Sequence, residues 1–278
     1  MKLGLTMKNL KILRCPRAKR FRNHHLVAIA DALPWLEELG IQFSGNNFDS
    51  KSAKELSRNL ISLDAGPYSS LQNDSFTFEN SMTYATSLRD LVLEPYGDHD
   101  RILSSISTSG IPLEKILIYE DSDFLNDDSM RDLCQYLSSL VYIKLCCSAL
   151  TATTFFLLTK ECPMLSEIDL GLLELQVEDD LDMVLGRNYR IRSLNLGFCV
   201  SNDEFLKKIG VICPNLQTLN LTGLYGLTTE SIGEILRCCS QIKHLTVDRT
   251  REMVTFLEQF ETRHIKIEHY RILEEGND

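Results

Sequence analysis

The sequence lacks any long run of apolar residues. Its longest nearly apolar stretch lies around residues 155–158, whereas a membrane-spanning helix needs about 20 such residues in a row. The first residues, MKLGLTMKNLKILR, carry lysines among their leucines and have no separate apolar region followed by small residues, as a secretory signal would. These absences predict a chain that neither crosses a membrane nor is secreted.

Cysteines in the C-x-x-C spacing are also absent. The nine cysteines include no C-x-x-C spacing, which is typical of zinc sites and redox motifs. Cys146 is adjacent to Cys147 and Cys238 to Cys239, and adjacent cysteines suit neither a disulfide nor a zinc ion. We therefore expect reduced thiols in a cytoplasmic or nuclear protein, with no metal site.

Catalytic signatures are missing as well. No G-x-S-x-G, H-E-x-x-H or phosphate-loop pattern occurs. Residues 120–132, EDSDFLNDDSMRD, resemble a calcium loop only superficially, because Asn126 replaces the required glycine and Asp132 the required glutamate. This stretch is better interpreted as a strand end followed by a helix with Asp127 or Asp128 as its cap. The sequence predicts no enzymatic activity.

Positive charge is scarce beyond the amino-terminal segment. The net charge is −10, yet residues 1–30 hold eight lysines and arginines and no acid, which leaves 21 of the 29 basic residues against all 39 acidic ones. Nucleic-acid binding needs many cations along one surface, so it is disfavoured. The basic residues 14–25, RCPRAKRFRNHH, have two interpretations, a solvated loop or a nuclear-localisation signal.

The chain does contain a repeat. The pattern L-x-x-L-x-L, with other apolar residues allowed, begins at ten places that are 24 to 28 residues apart. Its last two apolar positions are two residues apart, so both side chains face the same side of a strand and must be buried. The ten starting residues are Leu10, Leu36, Leu60, Leu88, Leu113, Leu140, Leu165, Ile191, Leu216 and Ile242.

A helical pattern follows the strand pattern within each repeat. In SNDEFLKKIGVICPNL, Ser201 and Glu204 fit a helix capping box, and Ile209 and Cys213 follow at helical spacing. A strand or helix with one apolar side cannot bury it alone, so successive units must stack. The repeat predicts a curved α/β solenoid with a parallel sheet on the concave face and helices on the convex face.

The repeats predict one domain of about ten repeats over residues 1–273, with a disordered tail at residues 274–278. The last elements are predicted as a short helix near residues 253–260 and a strand at residues 264–267.

Three cysteines occupy one position of the repeat. Cys162, Cys213 and Cys239 each lie three residues before a strand pattern, where other repeats have Leu33 and Leu137. Leucine can neither bind a metal nor act as a nucleophile. We therefore expect these cysteines to close the helix against the core.

One further cysteine carries a family resemblance. Cys199 lies three residues after the last leucine in LNLGFCVSNDEF, and the next helix ends in CPNL. This combination resembles the cysteine-containing leucine-rich repeat of F-box and leucine-rich-repeat proteins, many of them from plants. The resemblance covers residues 10–247, is most specific over residues 162–247 and is irregular at residues 65–87. It implies a ribonuclease-inhibitor-like fold and the capture of protein substrates for a cullin-type (SCF) ubiquitin ligase.

The F-box of that family is not expected in this chain. It precedes the repeats and docks on the ligase adaptor, whereas only nine residues precede the first repeat leucine here. An adaptor is thus an expected partner only if an upstream F-box exists. A truncated gene model, an alternative isoform and a free repeat module all remain open. The alternative function is a free scaffold or regulator, such as an inhibitor or a GTPase-regulating protein, with no ligase role.

The predicted binding residues flank the buried strand leucines and face outward on the concave side. Some plant relatives hold an inositol phosphate among cations on this face, but only Lys115, Lys144 and His244 are available here, so no cofactor is predicted. We expect a monomer with a protein partner. The predicted protein-binding residues are Asp90, Glu94, Tyr119, Tyr142, Lys144, Asp169, Asn195, Asn220 and Thr222.

Overall fold

A computed structural model describes residues 7–15, 23–41, 57–65, 84–93, 103, 106–120, 125–177, 186–263 and 265–270. The chain divides into two compact units, Met1–Leu140 and Val141–Asp278. Both contain parallel strands that alternate with helices. No helix in the described ranges is long and apolar enough to cross a membrane.

The first unit has five parallel strands that pair in chain order. Within its described residues, a helix follows the first strand and another follows the fifth, and residues 106–109 after the fourth strand are also helical. The elements are β1 (Ile12–Cys15), α1 (Asn23–Ala32), β2 (Glu38–Ile41), β3 (Ser62–Ala65), β4 (Asp90–Leu93), β5 (Lys115–Glu120) and α2 (Asp127–Cys134).

The second unit is built in the same way. Its elements are β6 (Tyr142–Cys147), α3 (Ala152–Glu161), β7 (Glu167–Gly171), β8 (Glu174–Leu175), β9 (Ser193–Asn195), β10 (Val200–Ser201), α4 (Asp203–Ile212), β11 (Thr218–Asn220), α5 (Thr229–Cys238), β12 (His244–Asp248), α6 (Arg251–Leu257), a 3-10 turn (Glu258–Arg263) and β13 (Lys266–Tyr270). Strands β6, β7, β9, β11, β12 and β13 pair in that order, while β8 and β10 form a separate small parallel pair.

The strand positions predicted from the repeat are confirmed. Every strand that carries the pattern begins two residues after its first apolar residue, as β11 begins two residues after Leu216. The pairing aligns equivalent residues of successive repeats, so Leu219 lies between Leu194 and Leu245. All three leucines are buried. The spacing of the repeat therefore fixes both the strands and their register.

The core of the second unit includes an aromatic cluster. The rings of Phe155 in α3 and Phe205 in α4 meet edge to face with centroids 5.2 Å apart, and Phe156 lies within 6.0 Å of Phe205. All three side chains are buried. Helix α4 packs in turn against α5.

Polar residues begin the helices, but two predicted caps are wrong. Asn126, not Asp127 or Asp128, caps α2, because its side chain accepts the N–H groups of Asp128 and Ser129.

The cap of α4 also differs from the prediction. Asn202, not Ser201, caps α4 by accepting the Phe205 N–H. Ser201 instead belongs to β10. In each case an asparagine that faces the free N–H groups of the first turn performs the capping.

The predicted role of the helix-end cysteines is confirmed. Cys162, Cys213 and Cys239 directly follow α3, α4 and α5, and each donates its backbone N–H to the carbonyl four residues earlier. All three are buried, as are Leu33 and Leu137 at the equivalent positions. This position of the repeat therefore needs a buried apolar side chain, and either cysteine or leucine supplies it.

The segment directly before β9 bonds to the ends of two helices. Residues 186–190 are not helical. Asn188 is buried there, its backbone N–H donates to the Ile212 carbonyl, and its side chain donates to the Thr159 carbonyl. These bonds link the non-helical segment to the ends of α3 and α4.

The carboxyl-terminal elements differ slightly from their predicted bounds. The helix predicted at residues 253–260 begins earlier, as α6, and continues as the 3-10 turn. The last strand, β13, begins two residues later than predicted. The tail predicted at residues 274–278 lies outside the described residues.

Candidate protein-binding face

Alternate residues of the strands in the second unit point away from the buried leucines, and we call these positions of β6, β7, β9, β11 and β12 the open face. Strand pairing arranges them in rows. The first row is Tyr142, Glu167, Ser193, Thr218 and His244. The second row is Lys144, Asp169, Asn195, Asn220 and Thr246.

Three predicted residues form one bonded group in the second row. Lys144 Nζ lies 3.1 Å from Asp169 Oδ2, and Asn195 Nδ2 donates to Asp169 Oδ1 at 2.8 Å. Each side chain is only partly exposed. The Lys144 ammonium therefore neutralises the Asp169 carboxylate, while both groups remain at the surface.

The two asparagines of the second row also shape the turns that follow their strands. Asn195 Oδ1 accepts the Gly197 N–H at 3.0 Å, and Asn220 Oδ1 accepts the Thr222 N–H at 3.0 Å. The Asp248 carboxylate at the end of β12 accepts the Gly223 N–H from the turn that follows β11. These bonds fix the side chains in place before any partner binds.

The prediction that Thr222 faces outward is wrong. Thr222 is only 5% exposed, and its hydroxyl donates to Asn220 Oδ1 at 2.7 Å. The strand β11 ends at Asn220, so the alternation of faces does not continue to Thr222. Thr222 therefore orients Asn220 and does not itself present a surface group.

The predicted anchor Tyr142 is half-buried at the start of the first row, directly beside the exposed Glu167. The open face thus combines an aromatic side chain, a carboxylate and the bonded group of Lys144 and Asp169.

The remaining predicted residues do not belong to the second unit. Asp90 and Tyr119 lie in the first unit, on β4 and β5, and Glu94 lies outside the described residues. Burial raises the pKa of Asp90, nearby Lys115 opposes this shift, and Glu114 and Glu38 add to it. Asp90 is therefore a carboxylate in a partly desolvated acidic setting.

Asp64 in the same unit was not among the predicted residues. Burial raises its pKa too, Arg14 opposes the shift and Glu38 adds to it. The repeat could have indicated this residue, because strand pairing aligns it with Gly40 and Val92.

The cysteine that carries the family resemblance is structural. Cys199 is buried, its Sγ lies 3.4 Å from the Leu170 carbonyl oxygen, and burial raises its pKa to about 11. Burial also raises the pKa of Cys213, and that of Cys239 to about 12. A thiol whose pKa is raised holds little of the reactive thiolate form near neutral pH.

This difference between buried and exposed thiols predicts a labelling pattern. At about pH 8 an alkylating reagent should label the exposed Cys238 in the folded chain and leave Cys199, Cys213 and Cys239 unmodified. Mass spectrometry of the digested chain gives the labelled fraction, and labelling in denaturant is the control that should reach all four. Labelling of Cys199 as fast as Cys238 would contradict its assignment to the core.

Sequence reasoning also missed an apolar surface beside the open face. Leu172, Phe198, Val200 and Tyr225 lie in the segments that follow β7, β9 and β11, and we call these four residues the strand-exit edge. Their exposed fractions are 61%, 54%, 39% and 70% in that order. Nothing in the leucine pattern indicates them, because they lie outside it.

Comparison with known proteins adds evidence on the fold. No family model matches the chain, and no curated protein matches it. Among solved structures, the leucine-rich-repeat-containing protein LegL7 from Legionella pneumophila aligns over 97% of this chain and 86% of its own, with 11% identity and a TM-score of 0.52. The chain has the leucine-rich-repeat fold. This finding agrees with the aligned parallel strands of both units.

Two other solved structures align less well. The yeast complex of Rad7 and Elc1 aligns over 96% of this chain and 78% of that chain, with 14% identity and a TM-score of 0.45. The complex of TLR13 with ssRNA13 aligns over 89% of this chain and 41% of that chain, with 15% identity and a TM-score of 0.48.

Proposed function

We propose that this leucine-rich-repeat chain recognises a protein through the open face of its second unit. The observation that carries the proposal is the bonded group of Lys144, Asp169 and Asn195. Neighbouring strands hold these side chains in place, so a partner would lose little side-chain entropy in meeting them. A mixed surface of this kind suits protein partners, whose interfaces combine polar and aromatic groups.

The charges of the open face favour a protein over a polyanion. Of its cations, Lys144 already pairs with Asp169. A nucleic acid or an inositol phosphate would instead need several cations directed at its phosphates. The proposal therefore includes no nucleic acid, no phosphate cofactor and no enzymatic activity.

The finer proposal is that the bound protein is a substrate for a cullin-type ubiquitin ligase. Its support is the resemblance of residues 162–247 to the repeats of F-box and leucine-rich-repeat proteins, including Cys199 after the strand. We further propose that residues 1–273 act as one monomeric domain in the cytoplasm or nucleus.

Affinity capture with a pair of matched variants tests the binding face. Glu167→Arg reverses an exposed charge beside Tyr142 on the open face, and Glu230→Arg reverses an exposed charge on α5. Quantitative mass spectrometry should find proteins captured by the wild type and by Glu230→Arg but lost with Glu167→Arg. Equal capture by both variants, with circular dichroism unchanged, would count against the open face.

The ligase role needs a separate measurement. The captured proteins should accumulate in cells when cullin ligases are inhibited, and their half-lives should lengthen when the chain is depleted. Captured proteins whose half-lives respond to neither treatment would favour the free scaffold or regulator.

A further inference from the structure

The strand-exit edge contains two large apolar residues in a disfavoured backbone conformation. Leu172 and Phe198 have backbone φ angles of 65° and 63°, the left-handed region in which side chains are disfavoured. Gly223, at the equivalent place after β11, has a φ of 64°. Two repeats therefore place a large apolar residue where a third has glycine, and both side chains are more than half exposed.

Neither backbone preference nor full burial explains these two residues. Glycine would adopt the same φ without strain, and a side chain that is more than half exposed gains only part of the hydrophobic stabilisation that full burial would give. An observed backbone outlier that fold stability does not require is a reason to consider a functional role. Contact with a partner would remove these side chains from water.

The edge is held in a defined shape. A Cβ atom at Gly223 would lie 2.6 Å from Cδ1 of Phe198, so the absence of a side chain there lets the Phe198 ring lie against the next turn. Val200 forms a parallel bridge with Tyr225, and the Tyr225 N–H donates to the Cys199 carbonyl at 3.0 Å. The apolar side chains are thus presented from segments that hydrogen bonds connect.

An acidic residue lies next to this apolar surface. Glu174 is exposed on β8 and pairs in register with Val200 on β10. The chain as a whole has a net charge of −10. Both the local and the overall charge favour a cationic partner, because complementary charges steer association and select partners.

We propose that the strand-exit edge docks a partner segment in which an aliphatic or aromatic residue lies beside a lysine or arginine. The apolar residue would contact Phe198 and Tyr225, and the cation would pair with Glu174. This proposal rests on the proposed function, since it adds an anchoring site and a partner chemistry to a protein-binding chain.

Selection from a display library of random peptides against the full chain provides the test. The enriched peptides should combine an apolar residue with an adjacent lysine or arginine. Their affinity, measured by fluorescence polarisation, should fall by about tenfold or more with Phe198→Ser, Tyr225→Ser or Glu174→Lys, as expected when an anchor residue is removed. Two exposed aromatic residues outside the edge supply matched controls, Trp35→Ser and Tyr189→Ser, which should leave affinity unchanged.

A second variant separates binding from folding. Leu172→Gly should keep the melting temperature at or above that of the wild type, because glycine accepts the left-handed backbone, and should still weaken peptide binding. The proposal would be overturned if Leu172→Gly stayed folded and bound the peptides as the wild type does. The binding lost in the other edge variants would then follow from their loss of the folded state.

Other outcomes also decide against the edge. These are enrichment of acidic peptides, no enrichment at all, or binding that Tyr189→Ser weakens and Phe198→Ser does not. A wild-type dimer that Phe198→Ser converts to a monomer would assign the edge to self-association instead. Peptides that lose affinity with Glu167→Arg but not with the edge variants would overturn the edge proposal and leave the proposed function standing.

Discussion

Replacing Phe205 by alanine is expected to lower the free energy of unfolding by about 3–5 kcal/mol, the range for a buried phenylalanine. The side chain is fully buried in α4, and its ring contacts those of Phe155 and Phe156. Its removal would leave a cavity between two helices, which the neighbouring rings cannot fill without leaving their own contacts. Denaturant titration followed by circular dichroism measures this loss.

Two controls make the Phe205 result specific. Phe205→Leu keeps most of the buried volume and should cost clearly less than Phe205→Ala. Tyr189→Ala removes an aromatic side chain that is mostly exposed, and its effect should be within about 0.5 kcal/mol. A loss below about 1 kcal/mol for Phe205→Ala would contradict its position in the core.

Replacing Leu219 by alanine is expected to lower the free energy of unfolding by about 2–5 kcal/mol, because the side chain is buried between equivalent leucines of the two neighbouring strands.

Replacing the neighbouring Asn220 should have a smaller effect for a different reason. Asn220→Ala removes the acceptor for the buried Thr222 N–H and hydroxyl, so we expect a loss of about 1–3 kcal/mol.

Thr218→Ala is the matched control in the same strand. Thr218 is half-buried on the open face, and its replacement should change the unfolding free energy by less than about 1 kcal/mol. The order Leu219, Asn220, Thr218, from largest loss to smallest, is therefore expected from parallel unfolding titrations. Equal losses for Leu219 and Thr218 would contradict the strand register.

The strands could be predicted from the sequence because their buried residues recur at a nearly constant spacing. A buried leucine recurs at the same place in each repeat, so strand starts, register and the closing role of Cys213 all follow from one alignment. The helix caps were predicted less well. Asn202 and its neighbour Ser201 are both good capping residues, and the choice between them depends on the extension of β10 through Ser201, which involves a neighbouring repeat.

The sequence predicted which strand residues share the open face, but not where that alternation of faces ends. Alternation placed Lys144, Asp169 and Asn195 on one face, and strand pairing brings them within bonding distance. Alternation failed at Thr222, because the strand had already ended. The strand-exit edge could not be foreseen, since the left-handed backbone at Phe198 arises from the turn that follows β9 and not from any residue preference.

Photo-cross-linking from two positions tests most directly whether the open face binds the protein partner. A photoreactive amino acid would replace Glu167 on the open face in one variant and Val211, an exposed residue on α4, in the other. Irradiation in cells should attach a discrete partner protein to the variant labelled at position 167 and not to that labelled at position 211. Cross-linking of the same protein from position 211, with none from position 167, would contradict the account.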